Sequence, residues 1–305
     1  MPLDSKKKFA VLGRLSLVVT TLIWGTSFVV LKNTLALVPT LYIMAIRFSG
    51  AAALLALVFV RELRKTDRRY IINGIVLGIL LFLGYTVQTY GLYYTTPSKN
   101  AFLTASYCVL VPFVIWAFYK KRPDRYHLIS AAICLAGVGF VSLKGGWTVE
   151  FGDILTLCCG VFYAVHIVLT AKYVQGRSVP LLTMIQFATA GILAWAFALL
   201  TGPLPALGAG NIVWSLAYLS VMCTGLCFLC QTFGQKHTPA AAAAIILSLE
   251  SVFGSAFSVL FGQETLTGRL YAGFALIFAA VLISETKLSF LKKKPAAAPA
   301  GTISE

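Results

Sequence analysis

Glu250, His166 and Arg47 of this 305-residue chain lie well within long apolar stretches, and their types suggest handling of small charged molecules. If those stretches cross a bilayer, each such group costs roughly 2.5–3.5 kcal/mol on the insertion scale, so its retention needs a chemical reason. Glu250, within Ile245–Phe257, can bind a substrate amine or take up a proton; the alternative is a hydrogen-bonded structural carboxyl. His166 can titrate near neutral pH and pairs with Glu250 as a candidate for proton coupling, or it is a packing residue. Arg47 can hold a substrate carboxylate, or it snorkels and serves structure. Tyr85, Gln88 and Thr89 form a polar and aromatic group near the end of one stretch, while Trp24 with Ser27 and Tyr163 with His166 occupy matching places in two others. Aromatic walls with a few hydrogen-bonding groups suit amphipathic metabolites, amino acids or organic cations. Those eight residues, Trp24, Ser27, Tyr85, Gln88, Thr89, Tyr163, His166 and Glu250, are the candidate cavity.

Other chemistries lack their motifs. There is no GxxxxGK[ST] phosphate loop, no HExxH and no GxSxG, so nothing points to ATP hydrolysis, a zinc protease or a serine hydrolase. Cys223, Cys227 and Cys230 share a helix face and could hold a soft metal, but no His or Met supports them and free cysteine packs as a small hydrophobe. No metal and no cofactor is expected.

The elements that must position these residues are membrane helices. The chain is 59% hydrophobic and only 11% charged, against about 25% charged for a soluble domain, and its mean hydropathy is +0.86. Ten stretches approach the length that spans a bilayer: Val11–Leu31, Leu41–Val60, Tyr70–Tyr93, Ala101–Tyr119, Leu128–Leu143, Ile154–Lys172, Leu181–Leu200, Ile212–Phe233, Ala240–Phe261 and Leu270–Ser289. They are written twice. Gln88-Thr89-Tyr90-Gly91 returns as Gln231-Thr232-Phe233-Gly234, Thr96-Pro97 as Thr238-Pro239, Ile46-Arg47-Phe48 as Ile185-Gln186-Phe187, and Trp24 aligns with Tyr163. Five spans per copy is an odd number, so the second copy enters from the opposite side and the repeats are inverted. The expectation is an all-α integral membrane protein, ten helices in two inverted five-helix repeats around a central cavity: a cytoplasmic tail (1–10), repeats at 11–146 and 147–290 joined at Lys144-Gly145-Gly146-Trp147, and a disordered tail (291–305).

The net charge of +15 is distributed by side rather than gathered for a nucleic acid. With alternating spans, twenty Lys and Arg residues fall on the side of the amino terminus, and only Lys32, Lys99, Lys144 and Arg269 on the other. The positive-inside rule then places both termini in the cytoplasm of a cell that carries the protein in its inner or plasma membrane. The first span follows lysines but is too long for a signal-peptide core and lacks a following cleavage site, so it stays. Gly74 and Gly78, and Ser251, Gly254, Ser255 and Ser258, provide small faces for close helix packing. Pro112 is expected to kink the fourth span, as a fixed bend or a hinge.

Leu22-Ile23-Trp24-Gly25-Thr26-Ser27-Phe28, Arg47-Phe48, Tyr93 through Thr104, Leu249-Glu250-Ser251-Val252-Phe253 and the Gly262-Gln263-Glu264-Thr265-Leu266-Thr267 ending together resemble the EamA family of the drug/metabolite transporter superfamily, in order along nearly the whole chain. Ser251 stands where a proline commonly follows the glutamate, Gln263 is an insertion, and Arg122-Pro123 replaces a frequent Glu and Pro. The resemblance implies inverted repeats around a cavity and export or exchange of small metabolites. The reading is a secondary transporter working by alternating access, with a small-molecule substrate and the lipid bilayer as partners and a homodimer as one option for its assembly. An intramembrane enzyme on a lipid-linked substrate, or a non-transporting scaffold, remain alternatives.

Overall fold

In lipid a backbone without water must satisfy its own hydrogen bonds, and a single apolar segment does so as a helix. A computed structural model describes residues 3–142, 149–203, 205, 207 and 210–287, and every element it forms there is a helix. Among the described residues nine helices are long and apolar enough to span: α1 (Leu3–Leu35), α2 (Thr40–Val58), α3 (Arg68–Tyr94), α4 (Pro97–Tyr119), α5 (Arg125–Ser142), α6 (Phe151–Tyr173), α7 (Val179–Thr201), α8 (Gly210–His237) and α9 (Ala240–Leu260). A tenth apolar helix, α10 (Gly268–Thr286), completes the second set. Helix α1 begins at Leu3, so residues 3–10 are helical and continuous with the first span. The repeat junction at Lys144–Trp147 and the segment 291–305 lie outside the described residues, as do Lys292, Lys293 and Lys294.

Helix starts follow local chemistry. Asp67 accepts a bond from the Tyr70 amide at 2.7 Å to cap α3. Thr96 accepts one from Lys99 at 3.4 Å, with Pro97 in the first turn where its missing N–H costs nothing. The second Thr-Pro, Thr238-Pro239, precedes α9, whose start has no side-chain cap.

Two helices depart from regularity, and both departures border the central space. α4 carries Pro112 inside its second part and also breaks about one and a half turns earlier, at Ser106, where the Ser106 amide turns to Leu103 O at 3.2 Å and the Val109 amide to Ser106 O at 3.0 Å. In α8 the turn over Leu219–Leu226 widens to π geometry. There the Cys227 amide bonds to the Met222 and Thr224 carbonyls and passes over its usual helical acceptor at Cys223. Such single wide turns recur at functional sites.

Packing shows the duplication in three dimensions. α3 lies on α6 as α8 lies on α1, α3 on α7 as α8 on α2, and α1 on α9 as α6 on α4; α2–α7, α4–α9 and α5–α10 are the self-matching pairs. The repeated glycine explains part of this. A Cβ at Gly91 would meet Thr156 Oγ1 and the Gly152 carbonyl, the latter at 3.0 Å, while one at Gly234 would meet Leu17 and the Gly13 carbonyl, the latter at 2.8 Å. Each copy therefore lets two backbones touch, which lipid alone would not drive. Gly74 and Gly78 do the same for α3 against α7.

The face carrying the start of α1 is called the amino-terminal face, and the other the distal face. On the distal face the start of α4 is tied to the start of α6. Lys99 Nζ lies 2.5 Å from Glu150 Oε2 and 2.8 Å from Asp153 Oδ2, the second contact being ionic rather than a directed hydrogen bond. Thr95 Oγ1 donates to Asp153 Oδ1 at 3.0 Å. On the amino-terminal face Ser178 Oγ donates to Glu62 Oε2 at 2.5 Å, joining the α2–α3 and α6–α7 connections. The Lys65 ammonium and this hydroxyl together hold the Glu62 carboxyl below its usual range.

Candidate functional site

Between the two repeats lies a cavity lined by Trp24, Ser27, Arg47, Tyr85, Gln88, Tyr163, His166 and Glu250, with Asn100, Tyr107, Phe228 and Gln231 completing its polar and aromatic wall. Thr89 is not part of it. That side chain is fully buried between α3 and α2, its hydroxyl 3.9 Å from Met44 Sδ, because one residue along a helix turns about 100° away from Gln88. Thr232, its repeat partner, is buried in the same manner, accepting from Thr183 on α7 at 3.4 Å.

The aromatic wall is locked by hydrogen bonds at its polar tips. The indole Nε1 of Trp24 donates to the Cys223 carbonyl at 2.8 Å, the acceptor released by the wide turn of α8. Its ring meets Phe228 at a centroid distance of 5.2 Å. Tyr163 Oη donates to Gln88 Oε1 at 2.7 Å, and Gln88 Nε2 donates to Thr104 Oγ1 at 3.1 Å. Tyr85 stands edge-on to Tyr163 at 5.6 Å.

The charged groups are set differently. Arg47 is 1% exposed, its Nε donates to Thr224 Oγ1 at 2.8 Å, and its guanidinium carbon lies 4.7 Å from the Tyr85 ring centroid. Glu250 is 5% exposed beside Tyr107 on an unbroken α9. The family's proline is replaced by Ser251, whose hydroxyl bonds to the Ser248 carbonyl at 2.7 Å within the helix. Among the described residues, no ion pair within 4.0 Å joins Arg47 or Glu250 to an opposite charge. Burying charge without a protein partner is costly, and here both groups face a cavity. The amide oxygens of Gln231 and Asn100 have no hydrogen-bond partner among the described residues. His166 is held: Nε2 sits 2.9 Å from Gln186 Oε1 and Nδ1 3.5 Å from Thr170 Oγ1.

The repeat alignment that ties Trp24 to Tyr163 and Ser27 to His166 also carries Tyr85 to Phe228 and Gln88 to Gln231, and all of these line the one cavity. Phe228 and Gln231 were therefore legible from the duplication, whereas Tyr107 and Asn100 depend on the path of α4. The cavity measures about 40 Å³, space for a few water molecules at most. A wider vestibule of about 610 Å³ opens on the amino-terminal face, between the ends of α4, α6 and α8 and the start of α9, lined by Tyr119, Lys121, Lys172, Gln235, Lys236 and Thr238 among others. Its lining residue His237 stacks on Phe9 at 5.2 Å, which fixes the face. The described residues contain no group of three or more His, Cys, Asp or Glu side chains arranged for a metal.

Comparison with known proteins agrees with this architecture. Residues 11–143 and 150–286 each match the EamA-like transporter family. A relative named "Uncharacterized transporter" from Archaeoglobus fulgidus is 34% identical over 91% of this chain and 86% of its own length. "Uncharacterized transporter YoaV" from Bacillus subtilis is 21% identical over 88% of this chain and 95% of its own. A crystal structure superposes with a TM-score of 0.68 at 17% identity, covering 92% of this chain and 99% of that one, a likeness of fold.

Proposed function

The chain belongs to the EamA-like transporter family, and from that premise we propose that it is a secondary transporter that exports or exchanges small amphipathic metabolites bearing an amino group and a carboxylate, amino acids among them. The observation that carries this reading is one aromatic-walled cavity holding Arg47 and Glu250, neither of them in an ion pair among the described residues. A ligand with both charges would supply the missing partners: its carboxylate to Arg47, its ammonium to Glu250 and the amide oxygens of Gln231 and Asn100, and its side chain to Trp24, Tyr85 and Tyr163. Substituted ammonium groups also gain from aromatic faces.

Transport follows by alternating exposure of the cavity to the two faces, the repeats rocking about the shared site. The basic amino-terminal face is the cytoplasmic one in this reading, so the vestibule admits substrate from the cell. Glu250 is the group that would exchange a proton for the substrate ammonium.

A thermal-shift screen of detergent-purified protein against amino acids, polyamines, nucleosides and aromatic cations tests the substrate class. A ligand at 100 times its Kd stabilises the folded state by about 2.7 kcal/mol. Zwitterionic amino compounds should raise Tm, and Glu250→Gln should weaken their binding by about tenfold or more, the worth of one charged hydrogen bond. Stabilisation by polyamines or nucleosides alone would overturn the substrate class. Absence of flux from proteoliposomes for a compound that binds would favour a non-transporting role.

A further inference from the structure

On the distal face the junction of α3 and α4 presents two helix ends side by side. The last carbonyls of α3 form the negative end of its dipole, and the first amides of α4 the positive end of its own. Lys32, in the last turn of α1, donates from Nζ to the carbonyls of Leu92 at 2.7 Å, Tyr93 at 3.0 Å and Thr95 at 2.7 Å. Glu264, in the connection after α9, accepts from the Ser98 amide at 2.9 Å and from Ser258 Oγ at 2.6 Å. A cation grips one helix end and an anion the other, and both arrive from the packed α1–α9 pair.

The inverted repeat supplies an internal control. The corresponding junction on the amino-terminal face is that of α8 and α9, approached by the end of α6 and the connection after α4. There Ala171 occupies the place of Lys32, and Lys121 and Arg122 stand where the distal side has Glu264. Neither charged grip can form there; Gln175, just past the end of α6, makes one longer neutral bond to the Lys236 carbonyl at 3.4 Å, and at that place the vestibule of about 610 Å³ opens, with Ala171 and Lys121 in its wall. The two charged contacts stand at the distal junction, and the wide opening lies at the junction that lacks them.

We propose that Lys32 and Glu264 are the gate of the distal face: release of the α3–α4 junction from both side chains opens that side of the cavity, and their engagement holds the protein open toward the amino-terminal face. This rests on the transporter reading for its purpose, though not for its measurement. The cost of release is local, because the ammonium and the carboxylate each lose charge-assisted hydrogen bonds to a helix end. The lysine cluster at Glu150 and Asp153 has a different part, since it joins α4 to α6 without spanning to α1 or α9.

The test is labelling by a membrane-impermeant maleimide in proteoliposomes without substrate, in a background whose native cysteines are replaced. Val29→Cys reports the distal side, being the repeat partner of the vestibule residue Val168, and Ala171→Cys reports the vestibule. Lys32→Ala and the milder Glu264→Gln should each raise Val29→Cys labelling by about tenfold, equivalent to roughly 1.4 kcal/mol, and lower labelling of Ala171→Cys as the population shifts. Lys32→Arg should remain near the parent. Unchanged labelling in monodisperse protein overturns the gate. A rise at both reporters also overturns it, because it signals local unfolding rather than reciprocal access. Reciprocal labelling in protein that carries no compound would sustain the gate and count against the transporter reading.

Discussion

Equivalent residues in the two copies have taken different work. Gln88 is engaged at both ends of its amide, accepting from Tyr163 and donating to Thr104, whereas the Gln231 oxygen has no partner among the described residues. Gln88→Leu should therefore lower stability by about 1–3 kcal/mol, the cost of leaving buried polar groups unpaired. Gln231→Leu should leave thermal stability nearly unchanged and weaken ligand binding. Paired denaturation and binding measurements on the two variants check this; equal losses of stability would remove Gln231 from the ligand site. Trp24 is both wall and strut, since its indole N–H satisfies the Cys223 carbonyl. Trp24→Phe keeps an aromatic ring but strands that carbonyl, so a lower Tm is expected along with a weaker affinity.

Elements are placed by small residues and by local faults. The doubled glycine brings α3 onto α6 and α8 onto α1 at backbone contact. Alanine gains up to about 1 kcal/mol of helix propensity over glycine, but a methyl forced against a neighbouring backbone costs about 1–3 kcal/mol. Overpacking wins, because a backbone carbonyl cannot swing aside as a side chain can. Gly91→Ala and Gly234→Ala should each lower Tm in detergent by similar amounts, while Gly268→Ala, with nothing within 4 Å of the added carbon, should not. The pairing of copies was readable from the repeated Gln-Thr-aromatic-Gly. The break at Ser106 was not, because Pro112 carries the sequence signal and the tightened turn is set by how Tyr107 and Cys108 meet α6 and α9. Nor was the wide turn of α8, which no residue of Leu219–Leu226 announces and which shows itself through the partners it creates, Trp24 and Arg47.

At the scale of the molecule, span parity and charge set the expected orientation. Twenty basic residues on the amino-terminal side against four on the other predict that a cysteine at Lys65, in the α2–α3 connection, is labelled from the cytoplasmic side only. Labelling from outside intact cells would reverse the orientation and, with it, the direction proposed for transport. The described basic residues on the distal face are accounted for by structure. Lys32 and Lys99 bind the ends of α3 and α6 respectively, and Arg269 donates to the Gly139 carbonyl at 3.4 Å. Charges that run against the positive-inside bias thus sit where helix ends or carboxylates receive them.

The sequence by itself determined the helical membrane architecture, the duplication and most of the cavity wall. Apolar length and repeat spacing are properties of a single segment, and inversion follows from counting. Only the tertiary structure decided that Thr89 turns away, that Tyr107 and Asn100 join the wall, and that Arg47 is held by Thr224 and Tyr85 rather than by a carboxylate. It also decided which junction is tied, since Lys32 and Glu264 look like ordinary helix-end charges until α3 and α4 are folded beneath them. Direction around a helix and contacts between distant segments depend on how all ten helices pack together, which no local pattern encodes.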